Sequence, residues 1–346
     1  MKRTIHAVLI CLLWVCAIST LKAQDIHLSQ LHASPLILNP AMTGLYTGDL
    51  RFIANTRSQW NSITNGYRTM VGTVDSKILK VGRNDAIGAG LQVYSDVAGD
   101  LQFRTRATSL YLSLLKSLDN KGQHFLSVGL QNTVFTQGLD FTKIVAADIE
   151  PAVLEGFNNQ KSYWDVSAGI AWFYGFDRFN SIHMGLSASH INKPEVLFFN
   201  KDKFESGVTL FRKVVFHAGA ELKLSKKSFL KPSLIFKDQG PHRQFTLGTF
   251  WKYKNFKHTS NSPGAAIYLG AWLRWHFEKD FSGTDAIVAA VRLDYKQLYI
   301  TFSFDVNISS LSEVSYGRGG PELSVVKILS FKRKTRKSSK VKCPDF

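Results

Sequence analysis

The chain of 346 residues lacks an uninterrupted apolar run long enough to cross a bilayer as a helix, which needs about 20 residues. The apolar stretch near the N-terminus, residues 7–18, is also too short, but it follows two basic residues and precedes Ala23. That arrangement is typical of a secretory signal peptide. We therefore expect residues 1–23 to be removed on export, and we do not expect a helical membrane anchor.

Cysteine is scarce, which excludes a disulfide framework. Cys11 and Cys16 lie in the predicted signal peptide, so only Cys343 remains after its removal. The Gly-x-Ser-x-Gly, His-Glu-x-x-His, Cys-x-x-Cys and phosphate-loop motifs are absent as well. The sequence therefore predicts no catalytic, cofactor or metal site, although a site assembled from distant strands would leave no local motif.

Acidic residues are few relative to basic ones, and the net charge is +17. Much of the excess lies in the C-terminal segment 332–346, which holds seven basic residues and one acidic residue. In an exported chain such a tail suits an acidic protein, an anionic lipid or a cell-wall polymer, and nucleic acid is not an expected partner. A solvated tail with no partner is the alternative.

What the chain does have is alternation of large apolar side chains with small or polar ones. Residues 298–306 read Leu-Tyr-Ile-Thr-Phe-Ser-Phe-Asp-Val, and similar segments recur from residue 49 to residue 331. A strand turns successive side chains to opposite faces, so each segment predicts a strand with one apolar face. In segment 103–116 the leucine spacing also suits a helix. The fourteen predicted strands are 49–58, 67–77, 85–95, 103–116, 122–135, 162–176, 180–190, 213–224, 228–238, 243–253, 264–277, 285–295, 298–307 and 320–331.

The predicted connections alternate in length. Tight turns are expected at 177–179, 225–227 and 296–297, whereas the longest connections, 136–161, 191–212 and 308–319, all fall on the other side. Outer-membrane β-barrels have an even number of strands, short periplasmic turns and long external loops. The short connection 239–242 and the longer 254–263 do not follow this rule. We predict an all-β, transmembrane outer-membrane β-barrel of about 14 antiparallel strands over residues 49–331, with lipid around it and both termini in the periplasm. A soluble sandwich or propeller would not require short and long connections to lie at opposite ends.

The segment between the predicted cleavage site and the first strand, residues 24–48, is too apolar to be fully solvated. Pro40 fixes its own backbone dihedral and disfavours helix at Asn39, so the chain should be extended or turned there. Gly44 and Gly48 allow conformations closed to other residues. We predict a periplasmic or plug-like segment that packs inside or beneath the barrel.

Two blocks of sequence carry a resemblance to a known family. The first block holds Ser29, Gln30, Asn39, Pro40, Ala41, Gly44, Gly48, Asp49 and Trp60; the second holds Asp305, Asn307, Gly320 and Glu322; and the chain ends with Cys343, Pro344, Asp345 and Phe346. Together they resemble the PorP/SprF family of outer-membrane proteins, found with the type IX secretion and gliding machinery of Bacteroidota. Leu31 and His32 stand where the family usually has aromatic residues.

The resemblance implies a non-enzymatic outer-membrane component of type IX secretion that needs no cofactor. Its implied partners are type IX secretion components, a secreted or surface-attached cargo protein such as an adhesin, and a periplasmic lipoprotein or peptidoglycan-binding protein. We expect the motif residues to serve structure or partner docking, the long external loops to hold cargo, and the N-terminal segment and the basic tail to face the machinery. The alternative is an outer-membrane transport barrel for small or hydrophobic solutes.

Overall fold

The structure is a computed structural model that describes most of the predicted barrel and the segment before it. Trp60, Cys343, Pro344 and Phe346 lie outside the described residues, as do the signal peptide and the basic tail. No helix within the described ranges is long and apolar enough to span a membrane. Those ranges are 28–59, 66–81, 84–99, 102–138, 160–196, 208–254, 265–277, 282–309 and 317–331.

Fourteen antiparallel strands close into a barrel, as the alternation predicts. The first and last strands pair from Leu50 opposite Leu329 to Arg57 opposite Glu322, so this sheet has no free edge. Two further short strands, β8 and β9, form a separate ladder within connection 191–212. The strands are β1 Leu50–Gln59, β2 Tyr67–Val81, β3 Asp85–Ala98, β4 Phe103–Ser117, β5 His124–Gly138, β6 Gln160–Gly175, β7 Ser181–Ser189, β8 Glu195–Val196, β9 Val208–Thr209, β10 Lys213–Lys223, β11 Ser228–Gln239, β12 His242–Lys254, β13 Ala265–Phe277, β14 Ser282–Tyr295, β15 Leu298–Asn307 and β16 Arg318–Leu329.

Segment 103–116, whose leucine spacing also suited a helix, is strand β4. Leu110, Leu112 and Leu114 point outward and are exposed, while Ser109, Tyr111 and Ser113, which alternate with them, are buried. An alternation of period two places Leu110, Leu112 and Leu114 on one face of a strand and Leu115 on the other face, where it is buried. β4 pairs with β3 on one edge and with β5 on the other, so this segment is a strand and not a helix.

The two ends of the barrel are distinguished by the course of the chain. We call the end where β1 begins and β16 ends the terminal end, and the opposite end the far end. The terminal end carries tight turns such as Lys296-Gln297 between β14 and β15. The longest connections lie at the far end, mostly outside the described residues, and there the turn at Gly240 is a short exception, as its sequence predicts. Which end faces the cell exterior stays a prediction.

The segment that precedes β1 lies inside the barrel and not beneath it. Its short helical turns at Leu31–Ala33, Pro35–Leu38 and Pro40–Met42 bury most of their side chains. Residues Leu28 to Gln30 lie beside strand positions near the far end, and Tyr46 lies beside positions near the terminal end. We call residues 28–46 the plug, because this stretch crosses the interior from one end toward the other.

The plug and the inner face of the wall share the core. Leu28, Leu38 and Met42 pack with Val71 and Val215 from opposite sides of the barrel. Burial of each such side chain contributes roughly 1.5–3 kcal/mol. The plug therefore covers apolar surface of the wall that water would otherwise contact. Two further clusters complete the interior; they contain Leu45, Ala86, Leu115, Phe125 and Phe173, and Phe250, Ala266, Tyr268, Trp272, Val288 and Ala290.

Candidate functional site: the plug and its contacts with the wall

The first two motif residues anchor the plug to the closing strands of the barrel. The backbone N–H groups of Ser29 and Gln30 donate to the two carboxylate oxygens of Glu322, at 2.8 and 3.1 Å. The Ser29 hydroxyl donates to Oδ2 of Asp305 at 2.6 Å, and the Gln30 amide donates to the Ser303 hydroxyl at 2.7 Å. Four of the sequence-predicted residues, Ser29, Gln30, Asp305 and Glu322, thus meet at one place.

Two buried arginines complete this place, which we call the ionic cluster and define as Arg57, Arg274, Asp285, Asp305 and Glu322. Oδ2 of Asp305 lies 3.0 Å from both guanidinium groups. Glu322 lies 3.4 Å from Arg57, and Asp285 lies 2.5 Å from Arg274. The side chains of Arg57, Arg274, Asp305 and Glu322 are at most 6 % exposed. Buried charges of this kind are tolerated only when they are paired and hydrogen-bonded, so each member holds its neighbours in place.

Asn39 fixes the middle of the plug against strands β6, β7 and β10. Its Oδ1 accepts from the backbone N–H of Ala41 at 2.9 Å, and its Nδ2 donates to the backbone oxygen of Ile170 at 2.9 Å. The same Nδ2 lies 3.1 Å from Nε2 of His217. Asn39 is fully buried, so these contacts take the place of hydrogen bonds to water.

Glycines in the wall leave room for this part of the plug. A side chain at Gly129 would collide with the backbone of Pro40 and Ala41, and one at Gly169 would collide with Asn39. Glycine in a strand interior weakens the strand and often marks the close approach of another backbone. Here the approaching backbone is that of the Asn39-Pro40-Ala41 motif.

Serine side chains of three strands hold the plug by its backbone. Ser113 donates to the carbonyl oxygen of Thr43, and Ser127 donates to that of Ala41, both at 2.7 Å. Ser187 donates to the carbonyl oxygen of Leu38 at 2.8 Å. The plug forms no regular sheet, so these hydroxyls satisfy backbone groups that would otherwise be buried without a partner.

The part of the plug nearest the terminal end of the barrel is bound to an ion pair. The backbone N–H of Gly44 donates to Asp75 at 2.7 Å, and Asp75 also binds Arg51 at 2.8 Å. The Tyr46 ring lies 4.4 Å beneath the Arg51 guanidinium, and burial together with Asp75 raises the pKa of its phenol. Gly44 has φ +69°, a conformation that glycine adopts without strain, and it turns the chain toward β1.

The remaining motif residues have local roles. Asp49 accepts from the backbone N–H of Phe331 at 2.8 Å and thereby joins the two ends of the barrel wall. Oδ1 of Asn307 accepts from the Ser309 hydroxyl at 2.7 Å. A side chain would find no room at Gly48 beside Ile328, or at Gly320 beside the backbone of Ser58.

Sequence reasoning missed Arg274, Asp75 and His217 as plug contacts. Arg274 and His217 lie at positions that alternation directs to the interior, and the strand of Arg274 is otherwise largely apolar and aromatic. A charged or imidazole group at such a position is the signal that could have identified them. Among the described residues, no group of three His, Cys, Asp or Glu side chains is arranged to hold a metal ion.

The described part of the molecule is a β-barrel with an apolar outer face and a plug anchored by buried charges. A family model for the type IX secretion system membrane protein PorP/SprF matches residues 20–326. The chain therefore belongs to the PorP/SprF family and is an outer-membrane protein. No curated protein matches it.

Three solved structures to which the chain is similar are distant in sequence. CdiB from Acinetobacter baumannii shares 8 % identity with a TM-score of 0.43, and the match covers 81 % of this chain and 60 % of CdiB. The toluene transporter TbuX from Ralstonia pickettii shares 11 % identity with a TM-score of 0.40, covering 85 % and 92 % of the two chains. A bacterial polysaccharide outer membrane secretin shares 10 % identity with a TM-score of 0.41, covering 83 % and 99 %.

Proposed function

We propose that this protein is a non-enzymatic scaffold of the type IX secretion system, which supports secretion, docking or surface attachment of a cargo protein such as an adhesin. The observation that carries the proposal is the attachment of the plug. Ionic contacts near the far end, Asn39 in the middle and Asp75 near the terminal end hold it at three levels. A lumen occupied in this way suits a surface on which proteins assemble better than a path for solutes.

The external loops are the proposed place for cargo. Loops 136–161 and 308–319 lie largely outside the described residues, but the base of loop 191–212 is attached to the wall. Asn192 bonds the backbone of β6 through both its amide oxygen and its amide nitrogen, at 3.1 and 2.8 Å. His190, just after β7, lies 2.9 Å from Asp165, which is also in β6. A rigid base of this kind can present the rest of the loop in a fixed direction.

A deletion strain tests this function. Loss of the protein should remove a specific surface protein from the cells, and the full-length chain should restore it. Uptake of small solutes should be unchanged, because the proposal assigns none to this barrel. If solute uptake falls and no surface protein is lost, the protein is a transporter and the scaffold proposal is wrong.

The basic tail, residues 332–346, is the proposed contact with periplasmic lipoprotein or peptidoglycan-binding components. Deletion of this segment should weaken co-purification of those components without lowering the thermal unfolding midpoint of the barrel. Replacement of its seven basic residues by glutamine provides the matched control for charge alone. Unchanged co-purification from both variants would contradict the assignment.

A further inference from the structure

Three exposed arginines lie together on the outer face of the barrel, at its far end. Arg68 in β2 and Arg104 in β4 belong to one cross-strand row, since each is paired with Val97 of β3. Their Cα atoms are therefore about 10 Å apart, and Arg106 lies about 7 Å along β4 from Arg104. All three side chains are exposed and alternate with buried residues, so they point away from the lumen.

The height of these arginines matches a membrane interface. Outward positions on β4 run from Arg106 through one threonine and three leucines to Lys116. Ten residues of strand measure about 33 Å, which at a tilt near 45° corresponds to a height of roughly 23 Å. The apolar band of an outer-membrane barrel is about 25 Å tall. Arg106 and Lys116 therefore lie at opposite edges of that band, at the level of the lipid headgroups.

The positive charge is not neutralised within the described part of the protein. None of the three guanidinium groups forms an ion pair there, and Asp96 on the intervening strand turns inward, where it accepts from Thr69. The outward residues paired with the β4 arginines are Gly138 and Thr136. The last outward positions of β15 are instead Phe304 and Val306, so the arginine row does not continue onto that strand.

We propose that Arg68, Arg104 and Arg106 form a binding site for the phosphate groups of a membrane glycolipid. Guanidinium groups bind phosphate through paired hydrogen bonds, and the apolar side chains below them provide a surface for acyl chains. With the predicted orientation, the site faces the outer leaflet of the outer membrane. The proposal is independent of the secretion role.

Lipid-dependent stability of the full chain tests this site. The probe is phosphatidylcholine vesicles with or without added lipid A, whose phosphates, unlike those of phosphatidylcholine, are not neutralised by choline. We expect lipid A to raise the thermal unfolding midpoint of the native protein. The triple variant R68Q/R104Q/R106Q should need at least about tenfold more lipid A for the same rise, the loss expected for one charge-assisted hydrogen bond.

A variant with the same loss of charge elsewhere is the control. Lys121, Lys226 and Lys227 are exposed in turns at the terminal end, and K121Q/K226Q/K227Q should retain the native response. The single variant R106Q gives a smaller shift and replaces the triple variant if that one does not fold. An unchanged response of the arginine variants would overturn the proposal. So would equal stabilisation of the detergent-solubilised protein by inorganic phosphate alone, because the site would then be an ion site.

Discussion

At the scale of single residues, buried polar groups that have no substitute partner hold the plug in place. Asn39 is the clearest case, since its amide serves the plug backbone and the wall at once. Replacement by alanine would leave the Ile170 carbonyl and the Ala41 N–H buried without these partners. We expect N39A to lower the free energy of unfolding by about 1–3 kcal/mol.

Denaturant unfolding of the detergent-solubilised protein, followed by tryptophan fluorescence, measures this effect. The control is N120A, because Asn120 is exposed in a turn at the terminal end and its side chain should contribute little. Equal midpoints for the two variants would show that the Asn39 amide does not hold the plug.

A substitution in the ionic cluster should lower the free energy of unfolding by more than N39A does. D305N would remove the charge that both Arg57 and Arg274 face at 3.0 Å, and removal of one partner of a buried pair typically costs about 3–5 kcal/mol. The matched control is D238N, whose carboxylate pairs with Arg243 on the exposed surface. An exposed pair contributes about 0–1 kcal/mol, so D238N should unfold almost as the native protein does. If the two variants lose the same stability, the ionic cluster is not what anchors the plug.

The burial of His32 should make the stability of the fold depend on pH. Burial lowers its pKa to about 3, with further contributions from Arg292 and Lys231, while its ring stacks on Trp272 at 5.0 Å. In the unfolded chain a histidine has a pKa of about 6.5 and binds the proton more readily. The stabilisation from neutral His32 is therefore complete above about pH 6.5 and is lost as the pH falls from there toward 3.

Unfolding midpoints measured between pH 7 and pH 4 test this prediction. The native protein should lose stability over that range, and H32F should lose less, because phenylalanine keeps the stacked ring without a titrating group. Identical pH profiles of the two proteins would mean that His32 titrates freely, contrary to its burial.

At the scale of elements, the strands follow from the sequence because each pattern is local. Adjacent residues of a strand face opposite sides of the sheet, so a short stretch of sequence is enough to show the alternation. Strand β15, at Leu298–Asn307, has the predicted bounds. Strand ends were less well determined: β2 continues to Val81 instead of residue 77, and β14 begins at Ser282 instead of 285. These extensions form because pairing with a neighbouring strand continues past the last alternating residue.

The contacts of the plug could not be predicted in the same way. Ser29 and Glu322 are separated by 293 positions in the chain, and no local pattern specifies that they meet. The family motifs marked both residues as special but did not show that they bind each other. Closure of the barrel brings β1 beside β16, and only then do the two motif blocks share one site.

The fit between plug and wall gives a prediction for Gly129. A methyl group there would collide with the backbone of Pro40 and Ala41, so G129A should displace the plug from β5. The control is G72A, where the nearest atom to an added Cβ is a Val93 methyl at 3.7 Å. Limited proteolysis should cut residues 28–46 faster in G129A than in G72A. Equal rates would indicate that the plug tolerates a shift at this position.

At the scale of the whole molecule, wall and plug form a single barrel with an occupied interior. The outer face offers apolar side chains to lipid, while charged groups such as Arg57 and Asp75 turn inward to hold the plug. The plug thus gives the wall a core like that of a soluble protein, within a shell suited to the membrane. Under the proposed scaffold function, the two ends of the barrel are the surfaces on which other components assemble.

Electrical conductance across a planar bilayer tests this central claim most directly. The full chain should show no sustained open-channel current, whereas a variant that lacks residues 28–46 should conduct, because its interior would fill with water. Steady, porin-like conductance of the full chain, unchanged by deletion of the plug, would contradict the account.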